Sequence, residues 1–364
     1  MRPLYIAGTH RDAGKTTLSV GLLHAFRRKG LRVGYTKPLG QRVKDDHGEP
    51  IHDDALVVYR SMGQSDLGAA AMAVPLPQGR VEREVFDLRT DELLAKVKET
   101  FDAVARDKDI VLVESMGHVA LGSCLGLSAA EVICAVNARA LLVSGGGIGR
   151  AIDDISLCAN FLTSRGADLL GVVINKVWPE KYTRVKQAVT QGLANLGIKS
   201  YGTIPFEEQL SCPTMRQVHE LVGGELIGRS MDLEGHVQNT IVAAMESSHM
   251  VRYLEPGTLV ITPGDRADNI LAALSANMLG DTQQPLLTGL VLTGGFRPNG
   301  TVMRLVNDSG VPVILVKNDT YSVASKFRET VFKITPDDSA KIEAAICLAS
   351  EYVDIDGIIS ALSE

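Results

Sequence analysis

Cysteine is scarce in this sequence, and its spacing excludes the usual metal and disulfide sites. The five cysteines include no Cys-x-x-Cys pair and lie mostly in apolar stretches, at positions 124, 134, 158, 212 and 347. Zinc sites and disulfide frameworks depend on closely spaced cysteines. The eight histidines are likewise scattered without a His-x-x-x-His pair, which argues against a metallohydrolase. We therefore interpret the cysteines as small core residues in a reducing compartment.

Long apolar runs and basic blocks are also missing. No apolar run approaches the ~20 residues that a membrane-spanning helix needs, and the first residues begin a strand without a charged and apolar leader. The net charge of −6 disfavours nucleic acid and anionic membranes as partners. We expect a cytoplasmic protein with no membrane and no nucleic-acid partner, whose nucleotide is free rather than polymeric.

Short apolar runs alternate with helical patterns, which predicts an α/β fold: a parallel sheet flanked by helices, followed by a smaller α/β domain. The first strands are predicted at 4–7, 31–35, 109–114, 140–144, 169–175 and 200–204. After a polar stretch at 207–234, a second series is predicted, with strands at 258–262, 289–293 and 311–316 and helices at 267–279 and 339–352. With a length of 364 residues, we expect two domains, at 1–215 and 216–364.

The segment Gly8–Thr17 has the context of a phosphate-binding loop. It follows an apolar strand, ends in Gly-Lys-Thr-Thr and precedes an amphipathic run over Leu18–Arg28. Backbone N–H groups and the positive end of the helix would hold a polyphosphate there, and the Thr16 hydroxyl would coordinate Mg²⁺. The alternative is a glycine-rich turn that happens to carry Lys and Thr. We expect phosphate contacts from Gly8, Thr9, Gly14, Lys15, Thr16 and Thr17.

This loop departs from the standard pattern at one position. Thr9 stands where the first glycine belongs, and Gly8 precedes it. We therefore describe it as a variant P-loop, in which Lys15 reaches the outer phosphates of the nucleotide.

Three further positions carry charge at predicted strand or helix ends. Lys37 follows the second strand and could steady a phosphate or carboxylate, or be an ordinary solvated lysine. Asp53 and Asp54 open a helix, as metal ligands or only as its N-cap. Glu114 ends an apolar strand, where burying a carboxylate is costly unless it meets a metal or a cation. We expect Thr16, Asp54 and Glu114 to hold Mg²⁺.

Six segments, in this order, resemble dethiobiotin synthetase and its relatives. They are GTHRDAGKTT at 8–17, GYTKPLG at 34–40, HDDALVVYR at 52–60, VLVESMGH at 111–118, VVINKV at 172–177 and GTIP at 202–205. The resemblance covers residues 1–206. It implies an ATP site in which Lys15 and Thr16 bind phosphates and Mg²⁺ and in which Asp54 and Glu114 complete the metal shell.

The same resemblance implies roles for two more residues. Lys37 would face the carboxylate or carbamate of an acceptor, and Asn175 would read the base. The sequence departs from that family after the strand-tip acid, where Ser115–His118 follows, and His118 is a further candidate for lining the pocket. It also departs on the acceptor side, at Arg11 and Gly145–Gly149. The resemblance therefore supports nucleotide binding by this chain more strongly than it supports the identity of a substrate.

The second half resembles a DRTGG domain over residues 217–353. The matching motifs are Gly264–Arg266, Thr293–Gly295 and Asn318–Ala324. That domain follows a dethiobiotin-synthetase-like module in large phosphotransacetylases. At its strand edge we expect glycine N–H groups free for an anion, and an ion pair between Asp265 and Arg266. The alternative is a glycine turn beside a solvated ion pair.

Taken together, these features predict a regulatory switch that binds Mg-ATP and hydrolyses it slowly. Nucleotide binding would be coupled to the binding of a small-molecule effector. One alternative is an ATP-dependent ligase of the dethiobiotin synthetase type, acting on a carboxylate or carbamate acceptor. Another is a non-catalytic accessory subunit of a separate phosphotransacetylase. The sequence runs to Glu364 without an acetyl-transfer segment, so we expect this chain not to make acetyl phosphate alone. We also expect a homo-oligomer.

Overall fold

The computed structural model describes residues 1–40, 43–46, 49–64, 72–76, 79–280 and 285–364. The chain divides into two compact units, which we call unit 1 (Met1–Leu210 with Ile334–Glu364) and unit 2 (Ser211–Lys333). The first division lies close to the expected boundary at 215. The expected second domain was continuous to residue 364, however, whereas Ile334–Glu364 belongs to unit 1. Within the described ranges, no helix combines the length and apolarity needed to cross a bilayer.

The strands follow the predicted apolar runs closely. In chain order they are β1 Leu4–Gly8, β2 Val33–Thr36, β3 Leu39–Gly40, β4 Val43–Asp46, β5 Glu49–His52, β6 Val74–Pro75, β7 Ile110–Glu114, β8 Arg139–Gly145, β9 Asp168–Val177, β10 Ser200–Pro205, β11 Glu225–Ile227, β12 Asn239–Val242, β13 Thr258–Pro263, β14 Leu287–Thr293 and β15 Val313–Leu315. The short strands β3, β4, β5, β6, β11 and β12 were not predicted. The residues of β11 and β12 are mostly half-exposed and give no apolar run.

The helices fill the intervals between the strands. In chain order they are α1 Lys15–Arg28, α2 Asp53–Ser61, α3 Arg80–Phe86, α4 Thr90–Ala105, α5 Ala129–Ala135, α6 Gly149–Thr163, α7 Tyr182–Asn195, α8 Met215–Val222, α9 Ser247–Met250, α10 Ala267–Leu279, α11 Gly300–Asp308, α12 Thr320–Glu329, α13 Ser339–Tyr352 and α14 Ile355–Ser363. The helices predicted at 267–279 and 339–352 are α10 and α13.

Unit 1 is built on a six-stranded parallel sheet with the order β10-β9-β8-β1-β7-β2. Its two faces each carry a hydrophobic core. Leu4 and Ile6 of β1 point into one core and Tyr5 and Ala7 into the other, as the alternation of side chains along a strand requires. The chain leaves β1 toward β2 on one side and later toward β8 on the other. The carboxyl end of β1 is therefore a topological switch point, where open α/β sheets bind ligands.

The returning segment at 334–364 completes one of these cores. Helices α13 and α14 and the residue Val353 between them contribute buried side chains to the cluster that also contains α1 and β1. The residues are Ala345, Ile346, Val353, Ile355, Ile358 and Leu362. Helix α13 lies against α1 so closely that a Cβ at Gly21 would stand 2.3 Å from the Ala349 Cβ and 2.7 Å from the Ala345 carbonyl oxygen. The helix that begins at the P-loop is thus packed directly against this segment.

We expect Gly21→Ala to destabilise the protein by about 1–3 kcal/mol. Alanine is a better helix former than glycine by about 1 kcal/mol, so propensity alone predicts the opposite sign. The added methyl group would overlap backbone and Cβ atoms of α13, which cannot rotate away. Urea unfolding measures the difference. Gly300→Ala is the control, since a Cβ there meets nothing within 4 Å, and equal effects of the two variants would contradict the close α1–α13 contact.

Unit 2 contains a five-stranded sheet with the order β11-β15-β14-β13-β12. Strands β12 to β15 are parallel, and β11 joins antiparallel at one edge. One core lies on each face of this sheet. The predicted fold class, a parallel sheet flanked by helices followed by a smaller α/β domain, is therefore confirmed.

Candidate functional site

The loop between β1 and α1 has the geometry of an anion site. Gly14 stands at the N-cap of α1 with φ 97°, a left-handed conformation that glycine adopts without strain. It has no side chain with which to cap the helix, and no side chain caps this helix start. The N–H groups of such a helix start are suited to binding an anion. A Cβ at Gly14 would lie 2.0 Å from the Asn175 Nδ2 atom. Only glycine therefore fits this position.

Two residues at the end of β9 fix the backbone of this loop. The Asn175 Nδ2 atom donates to the Ala13 carbonyl oxygen at 3.0 Å, and the Lys176 ammonium donates to the Asp12 carbonyl oxygen at 2.8 Å. Burial lowers the pKa of Lys176, although the Asp12 carboxylate acts in the opposite direction. Asn175 thus has a loop-anchoring contact, and its role in reading a base stays a prediction. Lys176 was missed, although it directly follows Asn175 at the same strand end.

The other predicted loop residues lie around the same turn. A Cβ at Gly8 would stand 3.0 Å from the Lys15 ammonium and 2.8 Å from the His10 carbonyl oxygen, so glycine leaves room for Lys15. The Lys15 ammonium donates to the Gly117 carbonyl oxygen at 2.8 Å. The Thr9 hydroxyl donates to the Ser144 hydroxyl at 3.1 Å. Thr17 is half-buried in the first turn of α1.

Glu114, at the tip of β7, is fully buried and accepts four hydrogen bonds. Its Oε1 atom accepts from the Thr16 hydroxyl at 2.8 Å and from the Lys37 ammonium at 2.7 Å. Its Oε2 atom accepts from the Ser19 hydroxyl at 2.8 Å and from the Tyr35 hydroxyl at 3.1 Å. The expected cation partner of this carboxylate is therefore Lys37. Ser19 and Tyr35 were missed because each lies in an apolar stretch.

Lys37 also contacts the second predicted acid. Its ammonium lies 2.8 Å from the Asp54 Oδ2 atom, and only 2% of its side chain is exposed. The alternative of a solvated strand-end lysine is therefore wrong. The N-cap of α2 is His52, whose Nδ1 atom accepts from the Asp54 backbone N–H at 3.0 Å. Asp53 and Asp54 lie in the first turn of α2, so the N-cap alternative is wrong as well.

The charges in this cluster stabilise one another. Burial by itself would lower the pKa of Lys37, but the carboxylates of Asp54 and Glu114 raise it above its ordinary value. Burial would raise the pKa of Glu114, but the Lys37 ammonium holds it below its ordinary value. Burial and the Glu114 carboxylate keep the pKa of Tyr35 well above its usual range. The cluster therefore contains a lysine cation and a carboxylate anion at neutral pH.

The donor atoms of this cluster suit a hard divalent cation. Thr16, Asp54 and Glu114 present one hydroxyl and two carboxylates beside the P-loop, and Mg²⁺ prefers oxygen ligands, with phosphates and water completing its shell. Among the described residues, no group of three or more His, Cys, Asp or Glu side chains is placed to hold a metal by itself. The residues present fit a metal bound together with phosphate rather than a closed protein cage.

The residues predicted to lie near an acceptor are His118, Arg11 and the loop Gly145–Gly149, and they are mostly exposed or half-buried. His118 is exposed, and its Nδ1 atom accepts from the Ala120 backbone N–H at 3.2 Å. Gly145 lies close to His10, since a Cβ there would stand 3.1 Å from the His10 Cε1 atom. Burial and the Lys15 charge lower the pKa of His10. Arg11 is exposed, and Gly147 has φ 143°.

The predicted anion site of unit 2 is wrong in two respects. The Gly294 and Gly295 N–H groups donate to the carbonyl oxygens of Asn318 and Val316, both at 2.8 Å, so they are not free for an anion. Arg266 pairs with Asp268, through contacts of 2.9 and 2.8 Å, rather than with Asp265. The glycines after β14 are therefore hydrogen-bonded to the residues that follow β15.

Comparison with known proteins identifies two domain families in this chain. The AAA domain model matches residues 2–214, and the DRTGG domain model matches residues 217–330. The phosphate acetyltransferase of Pseudomonas aeruginosa is 30% identical over 373 residues, which cover 98% of this chain and 51% of that protein. The phosphate acetyltransferase of Pseudomonas putida is 29% identical over 369 residues, covering 97% and 51% respectively.

The chain thus spans 51% of the length of these curated relatives. Among solved structures, the MinC:MinD cell division protein complex of Aquifex aeolicus has a TM-score of 0.39 and 15% identity, covering 58% of this chain and 84% of that chain. The P-loop turn of unit 1 lies within the first matched segment, and the glycine turn of unit 2 lies within the second. The chain belongs to the AAA domain family through residues 2–214 and carries a DRTGG domain at 217–330.

Proposed function

We propose that unit 1 binds a nucleoside triphosphate such as ATP together with Mg²⁺, and that the chain acts as a nucleotide-responsive regulator related to phosphate acetyltransferase. The observation that carries the proposal is the cluster of Lys15, Thr16 and Glu114 beside the uncapped start of α1. Uncapped helix starts and nearby lysines favour phosphate. The cluster also lies at the topological switch point of the sheet.

Each residue has a distinct part in this proposal. The N–H groups of the loop and the Lys15 ammonium bind the phosphates, while Thr16, Asp54 and Glu114 hold Mg²⁺. Bound Mg²⁺ would neutralise phosphate charge. Asn175 and Lys176 keep the loop in its binding shape through their contacts to Ala13 and Asp12. Slow hydrolysis of the nucleotide would make the switch reversible.

The regulatory part of the proposal draws on the relatives. Two phosphate acetyltransferases match this chain over nearly its whole length, while it spans half of theirs. We infer that the chain responds to nucleotide and effector and acts on acetyl-transfer chemistry in a partner. A ligase would need Lys37 to face an acceptor, whereas its ammonium contacts Asp54 and Glu114. This arrangement favours the switch over the ligase.

We expect Lys15→Ala to abolish measurable binding of Mg-ATP, because the substitution deletes the charge that meets the outer phosphates. Calorimetric titration of the full chain with Mg-ATP measures the effect, and circular dichroism checks that the variant is folded. Lys98→Ala is the matched control, since Lys98 is exposed on α4 and should bind as the wild type does. The same proteins, added to a phosphate acetyltransferase with and without Mg-ATP, test the regulatory part.

Two outcomes would contradict the proposal at different levels. If the wild-type chain binds no nucleoside triphosphate in the presence of Mg²⁺, the nucleotide site is wrong. If it binds Mg-ATP but changes no acetyl-transfer rate in a nucleotide-dependent way, the regulatory role is wrong and nucleotide binding stands.

A further inference from the structure

Lys37 is placed between the two carboxylates that the proposed function assigns to Mg²⁺. We propose that its ammonium acts as a resident cation, which competes with the metal for Glu114 and Asp54 and makes metal binding conditional on nucleotide. This inference rests on the proposed Mg²⁺-nucleotide site and adds its regulation.

Lys37 contacts both of the carboxylates that would hold the metal. Its ammonium lies 2.7 Å from Glu114 Oε1 and 2.8 Å from Asp54 Oδ2. The Thr16 hydroxyl donates to the same Oε1 atom at 2.8 Å. One oxygen of Glu114 thus serves both the lysine and the threonine. A cation cannot bind this oxygen while both donors remain in place.

Burial strengthens the competition between Lys37 and the metal for these carboxylates. Glu114 is fully buried, and the side chains of Lys37 and Asp54 are only 2% and 9% exposed. Water therefore cannot readily take over the role of either ion partner, and leaving a buried charge unpaired is costly. Lys37 can release the carboxylates only if another anion receives its ammonium. The phosphates of a nucleotide at the adjacent P-loop would be such an anion.

The consequence is an order of events. Without nucleotide, Lys37 stays on its carboxylates and divalent metal binds weakly. With nucleotide, the ammonium moves to the phosphates and the carboxylates become available to the metal. Replacing Lys37 by a neutral side chain should remove this dependence, because the ammonium that contacts both carboxylates would then be gone.

The experiment is a titration of the nucleotide-free full chain with Mn²⁺, followed by electron paramagnetic resonance. We expect Lys37→Met to bind one Mn²⁺ at least about tenfold more tightly than the wild type, a difference of about 1.4 kcal/mol. Mg²⁺ alone should also raise the melting temperature of the variant more than that of the wild type. Lys29→Met, at an exposed lysine paired with Asp356, is the matched control and should behave as the wild type does.

Further variants keep the test decisive. Lys37→Met/Glu114→Gln should lose the gained affinity, because one of the two carboxylates is gone. If Lys37→Met does not fold, Lys37→Gln removes the charge while keeping a hydrogen-bond donor, and the same tenfold gain is expected. Equal Mn²⁺ affinity in the wild type and the folded variant would overturn the proposal, as would wild-type Mn²⁺ binding equally tight with and without ATP.

This outcome is distinguishable from failure of the proposed function. A wild-type protein that binds Mg-ATP, together with a Lys37 variant that gains no metal affinity, would refute only the competition. A wild-type protein that binds no nucleotide, beside a variant that gains metal affinity, would support the competition of lysine and metal and refute its dependence on nucleotide.

Discussion

Deleting residues 334–364 is expected to unfold unit 1, even though the segment lies far from the P-loop in sequence. Helices α13 and α14 place Ile346, Ile355, Ile358 and Leu362 in the core that contains α1. A fully buried aliphatic side chain contributes about 1.5–3 kcal/mol. Four of them together approach the whole stability of a domain, about 5–15 kcal/mol. The deletion also removes the backbone hydrogen bond from Arg2 N–H to the Leu362 carbonyl oxygen, at 2.9 Å.

Thermal unfolding followed by circular dichroism, together with limited proteolysis, compares residues 1–333 with the full chain. We expect the truncated chain to lose nucleotide binding and to be cleaved within unit 1. Ile358→Asp should reproduce most of the effect, because Ile358 is fully buried. Asp356→Asn, in the same helix but exposed, should be close to the wild type. A cooperative transition of the truncated chain at the wild-type temperature would show that the segment is dispensable.

Glu114→Gln is expected to reduce stability by about 3–5 kcal/mol, the usual cost of removing one partner of a buried ion pair. All four contacts of Glu114 come from donors. An amide offers one oxygen and one NH₂ group, so it can accept on one side only. The hydroxyls on the other side must then become acceptors, and the Lys37 ammonium cannot accept at all. The Lys37 ammonium also keeps only Asp54 as its ion partner.

The same variant should lose Mg²⁺-dependent nucleotide binding while metal-free nucleotide binding changes little, because the substitution removes charge beside the metal rather than beside the phosphates. Urea unfolding and calorimetric titration measure the two effects, with Glu99→Gln, at an exposed position, as the control. Unchanged dependence on Mg²⁺ would mean that Glu114 is a structural residue only.

The pH dependence provides a second readout for this variant. Because the pKa of Glu114 is lowered in the folded protein, its charge contributes stability that is present above the ordinary glutamate pKa. This contribution is lost as the pH falls through the lower, folded value. Stability of the wild type should therefore fall more steeply than that of Glu114→Gln on the acid side of the ordinary pKa.

The sequence predicts those parts of the site that depend on local pattern. The strand, loop and helix around Lys15 follow one another along the chain, and Glu114 terminates an apolar run, so both are readable from their neighbours. The partner of Glu114 cannot be predicted from its sequence neighbours. Lys37 meets it because β7 lies between β1 and β2 in the sheet, an order that apolar periodicity does not contain.

Contacts of the same non-local kind explain the other differences. Gly294 and Gly295 looked available for an anion because their partners, Asn318 and Val316, lie in the next strand and turn. The return of residues 334–364 to unit 1 was missed for a related reason. The apolar pattern of α13 predicts a helix with one buried side, but does not identify the helix that covers it.

The division of unit 1 into two stretches of sequence bears on how the protein is made. Residues 211–333 are synthesised between the two parts of the unit 1 core. The face of α1 that carries Gly21 therefore stays uncovered until α13 has been synthesised, after the whole of unit 2. During that interval the helix that begins at the P-loop lacks the contact that fixes one side of it, so the proposed nucleotide site is completed only after the domain that follows it.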